Sequence, residues 1–485
     1  MGEAKQIEVA DLTEVDGFGP VDLYQKREKI ITRSTSGWYQ YLRWFTGWPL
    51  LFAYFGAPHL YWEGRQAILF DLGARQFHLF DLTFWPEDLW LCGWLLIIGA
   101  FSLFTVTTLL GRVWCGFTCP QTVWTAMFMW IEQFAEGTRS ARIKLEKAPM
   151  SFSKARKRSV KHGLWLGLAF LTGVTFVGYF TPIHELVLDF VNLEVGGWAL
   201  FWTLFFTLAT YGNAGWMREQ VCIYMCPYAR FQSAMFDHDT MIVAYDAGRG
   251  EPRSAAKRGL ATDAGDCVNC SICVQVCPTG IDIRDGLQYQ CISCAHCIDA
   301  CNEVMRKVDR PEGLIRFTSE SELAGKGRHW LRPRSVGYAT AALAMCVAFS
   351  VAVLSRDPLM VEIVRGRGDL YQMDTRGQVA NDYLLKLTNK TARPMVASVA
   401  LKALPGAAVL ALEAESDLPL APRESKLTPL RVIAAAEALA GLAGSRPLEF
   451  EVCLEYSGSE QEGRCSTEPS LFFAPTSHSA GLGGR

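Results

Sequence analysis

A polytopic α-helical membrane protein, carrying one cysteine-rich soluble domain and one all-β domain, is the class this sequence predicts. Three observations predict it. Five apolar segments, each near the roughly 20 residues that cross a bilayer, punctuate the chain. Eight cysteines in two identically spaced quartets lie between the fourth and fifth segments. After the fifth, short stretches alternate apolar and polar residues with turn signals between them, as strands do. The chain has 485 residues, is 50% hydrophobic and holds 15 Trp and 28 Phe, and its mean hydropathy is +0.12. Such a composition fits a membrane protein with rings at the lipid interface. A net charge of −2 gives no bulk attraction to nucleic acid, so no nucleic-acid partner is expected.

Residues 1–37 read as a polar tail with Lys26, Arg27, Lys29 and Arg33 and without the apolar core of a signal peptide. The apolar segments are 38–58, 88–110, 163–180, 198–215 and 335–354, the first with Arg43 near its start. Loop charge sets their orientation. The loop at 139–161 carries Arg139, Arg142, Lys144, Lys147, Lys154, Arg156, Lys157, Arg158 and Lys161, so it should be cytoplasmic and touch anionic lipid. The loop at 59–87 has only Arg65 and Arg75, and that at 182–197 has Glu185, Asp189 and Glu194 without a cation. Both should face outward. Five crossings then place the N-terminus and the cysteine quartets inside and the C-terminal region outside.

Each quartet is C-x2-C-x2-C-x3-C, in CVNCSICVQVCP and CISCAHCIDACN. Bacterial ferredoxins use this run, with three cysteines of one half and the last of the other holding each [4Fe–4S] cluster. Cys267, Cys270, Cys273 and Cys301 would hold one cluster, and Cys291, Cys294, Cys297 and Cys277 the other. A zinc module or a disulfide scaffold is the competing reading, and two identical quartets in a reducing cytoplasm argue against it. His296, between Cys294 and Cys297, is expected beside the cluster as a hydrogen-bond donor rather than as a ligand.

A second constellation flanks the membrane segments. Cys115 and Cys119 lie in WCGFTCPQT after the second segment, and Cys222 and Cys226 lie in VCIYMCPYA after the fourth. Both motifs are C-x3-C-P at the same membrane face. On a helix, positions i and i+4 share a face, so each pair would present two sulfurs. Four soft ligands suit Cu(I), zinc or an iron–sulfur centre; inert buried thiols are the alternative. Cys92 and Cys346 fall inside apolar segments and read as filler.

The C-terminal region alternates at Tyr383, Leu385 and Leu387, at Val399 and Leu401, and at Phe450, Val452 and Leu454. Turn signals at Asn389-Lys390, Pro405-Gly406 and Ser457-Gly458 separate these stretches. The pattern predicts an immunoglobulin-like sandwich, although the alanine-rich stretch 432–443 also suits a helix. Cys453 and Cys465 flank a turn in the outward domain, where a disulfide is permitted; the sequence leaves their pairing open.

The expected organisation is therefore a cytoplasmic tail at 1–37, a four-span membrane domain at 38–235, a cytoplasmic two-cluster ferredoxin domain at 236–334, a fifth span at 335–355 and a periplasmic immunoglobulin-like domain at 356–485.

LYQKREKI, RVWCGFTCPQTVWT, EQVCIYMCPYARFQSAMFD, YDAGRGEPR and CPTGIDIRDGLQYQC make the chain similar to the FixG/RdxA/CcoG family of cytochrome c oxidase accessory proteins. The resemblance runs from about residue 23 into the C-terminal domain. It implies an inner-membrane protein with five spans, a cytoplasmic two-cluster domain and a periplasmic immunoglobulin-like domain. It also implies a role in maturing cbb3-type cytochrome c oxidase by reducing Cu(II) to Cu(I). The cofactors would be two [4Fe–4S] clusters, with copper as substrate or bound ion at Cys115, Cys119, Cys222 and Cys226. The partners would be the bilayer, oxidase subunits or assembly factors, and a cytoplasmic electron donor that the sequence does not name. Two other readings stand beside it: a quinol-oxidising relay, by likeness to nitrate and nitrous-oxide systems, and a non-enzymatic assembly scaffold.

Overall fold

A computed structural model describes residues 30–254, 265–355, 357–391, 393–402, 410–415, 417–436, 444–456 and 465–475. Most of the N-terminal tail, the turns at 405–406 and 457–458, and the stretch 437–443 lie outside these. The chain divides into two compact units, each gathering distant stretches. The first joins the chain up to Thr46, Leu110–Trp165 and Asn213–Arg328; the second joins Gly47–Leu109, Leu166–Gly212 and His329 onward.

In the first unit, helices Val113–Phe117, Pro120–Glu136 and Arg139–Lys147 follow one another. Pro120 opens its helix, where a missing N–H costs nothing. Gly137, at φ 92°, closes the same helix. Two π-helical stretches, Tyr211–Met217 and Val221–Met225, lead into helix Pro227–Met235. An antiparallel pair, Ile242–Tyr245 with Ile315–Thr318, pairs Val243 with Phe317 and Tyr245 with Ile315. Between these strands run the short helix Ile272–Val276 and the longer His296–Lys307. Val243, Ile283, Ile298, Met305, Leu314 and Ile315 form the apolar core around them.

This unit also buries charge. Glu132, only 1% exposed, accepts from Arg142 at 3.2 Å and from Arg218 at 3.0 Å. Lys161 pairs with Glu136 at 2.7 Å and lies 5.0 Å above the Trp165 ring. Such ions persist in an interior only when paired.

Among the described residues, Pro86–Leu110, Phe152–Val177 and Pro333–Leu354 are long and apolar enough to cross a membrane. Helices Ile183–Asn192 and Gly197–Met217, bent by 95°, make a fourth if they act as one span. The third expected segment starts earlier than its apolar stretch, at Phe152, because Lys154, Arg156, Lys157 and Lys161 are good helix formers and extend it. The first expected segment is helix Trp38–Gly56, with Pro49 inside and Arg43 near its start, and is not in that set.

The second unit ends in two sheets. One runs Leu410–Glu413, Ser425–Ala434, Val379–Asn389, Leu359–Arg365; the other runs Leu418–Leu420, Met395–Leu401, Gly444–Tyr456, Cys465–Ala474. Tyr383, Leu385, Leu387, Phe450, Val452 and Leu454 are all buried, and Val399 and Leu401 pack beside them. The period-two face legible in the sequence is therefore the core. Tyr383 meets Phe450 edge to face at 5.2 Å, and its hydroxyl donates to the Leu471 carbonyl at 2.9 Å. The stretch from Val432 to Ala434 is strand rather than helix, because it pairs on both sides. Cys453 and Cys465 sit directly opposite each other on neighbouring strands and form a disulfide.

Candidate metal centres

The two quartets adopt matched backbones. Asn269 and Ser271 flank Cys270 at φ 51° and 54°, and Ser293 and Ala295 flank Cys294 at φ 52° and 61°. A left-handed conformation costs a non-glycine residue about 1 kcal/mol or more. Its repetition at equivalent places turns successive backbone N–H groups inward, the concavity that receives sulfur-bearing anions. Ser271 and Ala295 then begin their helices.

Two small cavities result. Cys267, Cys270, Cys273 and Cys301 line one of about 20 Å³, beside Tyr245, Arg284 and Leu314. Cys277, Cys291, Cys294 and Cys297 line another of about 20 Å³ with Val243, Ile281 and Ile283, and Cys273 borders this one too. Four sulfurs, apolar walls and no carboxylate make a donor set that fits an iron–sulfur group. Burial pushes the Cys273 thiol up to about 11 and the Cys294 and Cys301 thiols up to about 12. Burial thus favours the neutral thiol at these three positions, and a metal must displace their protons. Asn302, just past Cys301, accepts from the Gly313 N–H at 3.0 Å and stays inside its helix.

The C-x3-C-P motifs differ from the sequence expectation in one respect. Their cysteines do not share one continuous helix. Cys115 lies in helix Val113–Phe117, while Cys119 is extended, at φ −57° and ψ 129°, and caps helix Pro120–Glu136. Cys222 lies in a π turn, and Cys226 caps helix Pro227–Met235. The proline forces this break, because the residue before it avoids helical geometry.

Several contacts knit the motifs together. Buried Arg112 donates to the Cys291 carbonyl at 3.2 Å, to the Tyr289 carbonyl and to the Ala229 carbonyl at 3.1 Å. Gln121, two residues past Cys119, donates to the Asn213 and Arg218 carbonyls at 3.0 and 3.2 Å. It thereby ties helix Pro120–Glu136 to the π turns before Cys222. The Cys115 thiol donates to Gln232 at 3.5 Å, and the Thr122 hydroxyl donates to the Cys115 carbonyl at 2.6 Å. A Cβ on Gly116 would lie 2.7 Å from the Ser293 carbonyl oxygen and 2.9 Å from the Cys294 Cα. Only glycine lets the first motif rest on the second quartet.

Burial pushes the Cys115 thiol up to about 12, with the neighbouring Cys119 adding and Arg112 opposing. Burial likewise raises Cys222 to about 11. Among the described residues no three of these four sulfurs lie within 4.8 Å of one another, and the same is true of the sulfurs of each quartet. A cavity of about 40 Å³ connects this region with the second quartet. Cys222, Arg218, Glu219, Gln121, Arg43 and His296 are among its lining.

Sequence reasoning singled out every cysteine here. It gave no role to Arg112, Gln121 or Glu132. Arg112 and Gln121 stand inside the quoted RVWCGFTCPQT, and their polarity beside an apolar segment was the available signal.

A family model described as "4Fe-4S dicluster domain" matches residues 217–320, and one described as "IG-like fold at C-terminal of FixG" matches residues 349–475. The "Nitrogen fixation protein FixG" of Rhizobium meliloti (strain 1021) is 36% identical over 454 residues, which cover 84% of this chain and 87% of that one. "Protein RdxB" of Cereibacter sphaeroides is 40% identical over 384 residues, 76% of this chain and 80% of that one. "Protein RdxA" of the same organism is 38% identical over 381 residues, 76% and 81% respectively.

Proposed function

We propose, from the premise that this chain belongs to the FixG/RdxA family, that it reduces Cu(II) to Cu(I) for assembly of cbb3-type cytochrome c oxidase. The observation that carries this reading is the meeting of two sulfur-lined cavities with two C-x3-C-P motifs in one unit.

Cys267, Cys270, Cys273 and Cys301 would hold one [4Fe–4S] group, and Cys277, Cys291, Cys294 and Cys297 the other. Bound there, these groups supply single electrons. Cys115, Cys119, Cys222 and Cys226 receive copper as substrate. The balance is one electron per ion, Cu(II) to Cu(I), given up by a reduced iron–sulfur group, and each thiol that binds the ion as thiolate releases its proton to solvent. Thiolate ligands favour Cu(I) over Cu(II), so capture and reduction pull together. Arg112 opposes the cost of ionising buried Cys115 and Cys222. The Glu132–Arg218 pair holds the π turns, and with them Cys222, against helix Pro120–Glu136.

The membrane plan that fits this role has helix Trp38–Gly56 as a fifth span. The quartets then face the cytoplasm and the sandwich faces the periplasm. The cluster of cations at 139–161 supports that sidedness. So does the Cys453–Cys465 disulfide, a bond typical of oxidising compartments.

The test is a Cys222→Ala/Cys226→Ala protein, purified anaerobically, with iron, sulfide and copper counted. It should keep the iron and sulfide of the unaltered protein and lose Cu(II) reduction by tenfold or more. Full iron with an unchanged reduction rate would overturn the copper role of this face.

A further inference from the structure

The two quartets are alike in spacing and unlike in surroundings. Beside the first, Cys270 is exposed. The guanidinium there, Arg284, is already neutralised: it donates to Asp282 at 2.8 and 2.6 Å. Beside the second stands Arg43, from helix Trp38–Gly56, with no carboxylate at ion-pair distance among the described residues; the Asp299 charge acts on it from farther off. Asp299, the acid in that neighbourhood, instead accepts the Tyr39 and Gln40 backbone N–H groups at 3.2 and 2.8 Å. A Cβ on Gly37 would strike the Asp299 carboxyl at 2.3 Å. The start of this helix is thus docked on helix His296–Lys307, and Arg43 is held in place.

Arg43 reaches the ring of His296, with Nδ1 at 3.1 Å and Nε2 closer still. The Gln40 side-chain oxygen lies 2.9 Å from Nε2 and braces the ring. Nδ1 lies 3.7 Å from the Cys294 sulfur, so the ring bridges the guanidinium to the second quartet. Both Arg43 and His296 also line the cavity that holds Cys222.

We propose that Arg43 and His296 are positioning residues that stabilise the added electron on the iron–sulfur group of the second quartet, making it the more easily reduced of the two. The inference rests on the iron–sulfur reading above. Reduction adds one negative charge to the group. A guanidinium held against the ring beside Cys294, with no carboxylate at ion-pair distance among the described residues, favours that charge. Water at Cys270 favours reduction of the first group, but solvent screens charge, whereas Arg43 acts from a half-buried position against His296. The electron's preferred place is then the quartet against which Gly116 of the first C-x3-C-P motif packs.

The test is an anaerobic redox titration of the full-length protein in detergent, followed by electron paramagnetic resonance. Cys294→Ser identifies the second quartet's signal by altering its spectrum. Arg43→Gln and His296→Leu should each shift that signal's reduction equilibrium at least tenfold toward the oxidised form, about 59 mV for a one-electron couple. The other signal and the iron content should stay unchanged, and Arg43→Lys should restore most of the shift. If Arg43→Gln loses iron, His296→Gln, which keeps the side-chain volume, carries the test. Two signals with full iron and unmoved potentials, or movement of the first quartet's signal instead, would overturn the proposal alone. Unaltered protein without iron or a reduced-state signal would overturn the iron–sulfur reading and this inference together.

Discussion

The unit that carries the thiols and the unit that carries the sandwich solve the same problem of burial by opposite means. The first encloses Glu132, Glu136, Arg142, Lys161 and Arg218 and balances them against one another. In the sandwich, the fully buried polar residues among those described are Asn381, Thr388, Asn389 and Thr428, none of them charged. Its interior is Leu, Val, Phe and Tyr from two facing sheets. Cysteine divides the same way. The first unit keeps its twelve motif thiols unbonded, and the sandwich joins its two across neighbouring strands. A region that must hold sulfur ligands and irregular π turns in fixed places uses directional ion pairs, which are costly to break. A region that needs only to be stable uses apolar area, which is non-directional.

The sharpest way to break this comparison is Glu132→Gln. It leaves Arg142 and Arg218 buried without their carboxylate, and should destabilise the thiol unit by about 3–5 kcal/mol. Hydrogen exchange should rise across helix Pro120–Glu136 while the sandwich strands keep their protection. Equal loosening of both units would show that they do not differ as argued. Next in size is the disulfide. Replacing Cys453 and Cys465 by alanine releases a constraint across a separation of 12 residues, worth about 3 kcal/mol in chain entropy. Proteolysis in urea should register the loss in the sandwich alone, with iron content unchanged.

The smallest effect is acidification of the second unit outside its sandwich. His78 is buried on strand Gln76–Leu79, its Nδ1 3.0 Å from the Thr83 hydroxyl. Burial, with Arg65 and Arg423 adding, pulls its pKa down to about 4. Unfolded, it would titrate near its ordinary 6.5. Between these values the unfolded chain binds a proton that the folded chain refuses. Stability from this group is therefore full above pH 6.5 and falls as pH drops toward 4. Between pH 6.5 and pH 5 the loss should be about 2 kcal/mol, and His78→Asn should flatten it. Thermal unfolding against pH, read by a probe in the second unit, checks this.

Short-range patterns carried most of what was legible. The spacing of Cys267 to Cys301 marked the eight thiols that line the two cavities. Alternation at Tyr383, Leu385 and Leu387 marked a core face, because a strand's side chains simply change sides at each residue. The i, i+4 argument for the C-x3-C-P pairs failed for an equally local reason: Pro120 and Pro227 each start a new helix, and Cys119 and Cys226 become caps. Helix Trp38–Gly56 was legible as an apolar segment. That its first N–H groups are accepted by Asp299, about 260 positions away, was not.

By itself, then, the sequence determined which atoms are available: sulfurs at fixed intervals, apolar lengths that suit lipid, and a two-residue alternation. Each depends only on neighbours along the chain. Tertiary structure alone decided which of those atoms meet. It laid Gly116 on the second quartet, set Arg112 between the two motifs and put Arg43 against His296. Such encounters join stretches more than 100 residues apart, and no local periodicity encodes the closing of those loops; the interactions that hold them, packing and charge in a desolvated interior, exist only once the chain has folded.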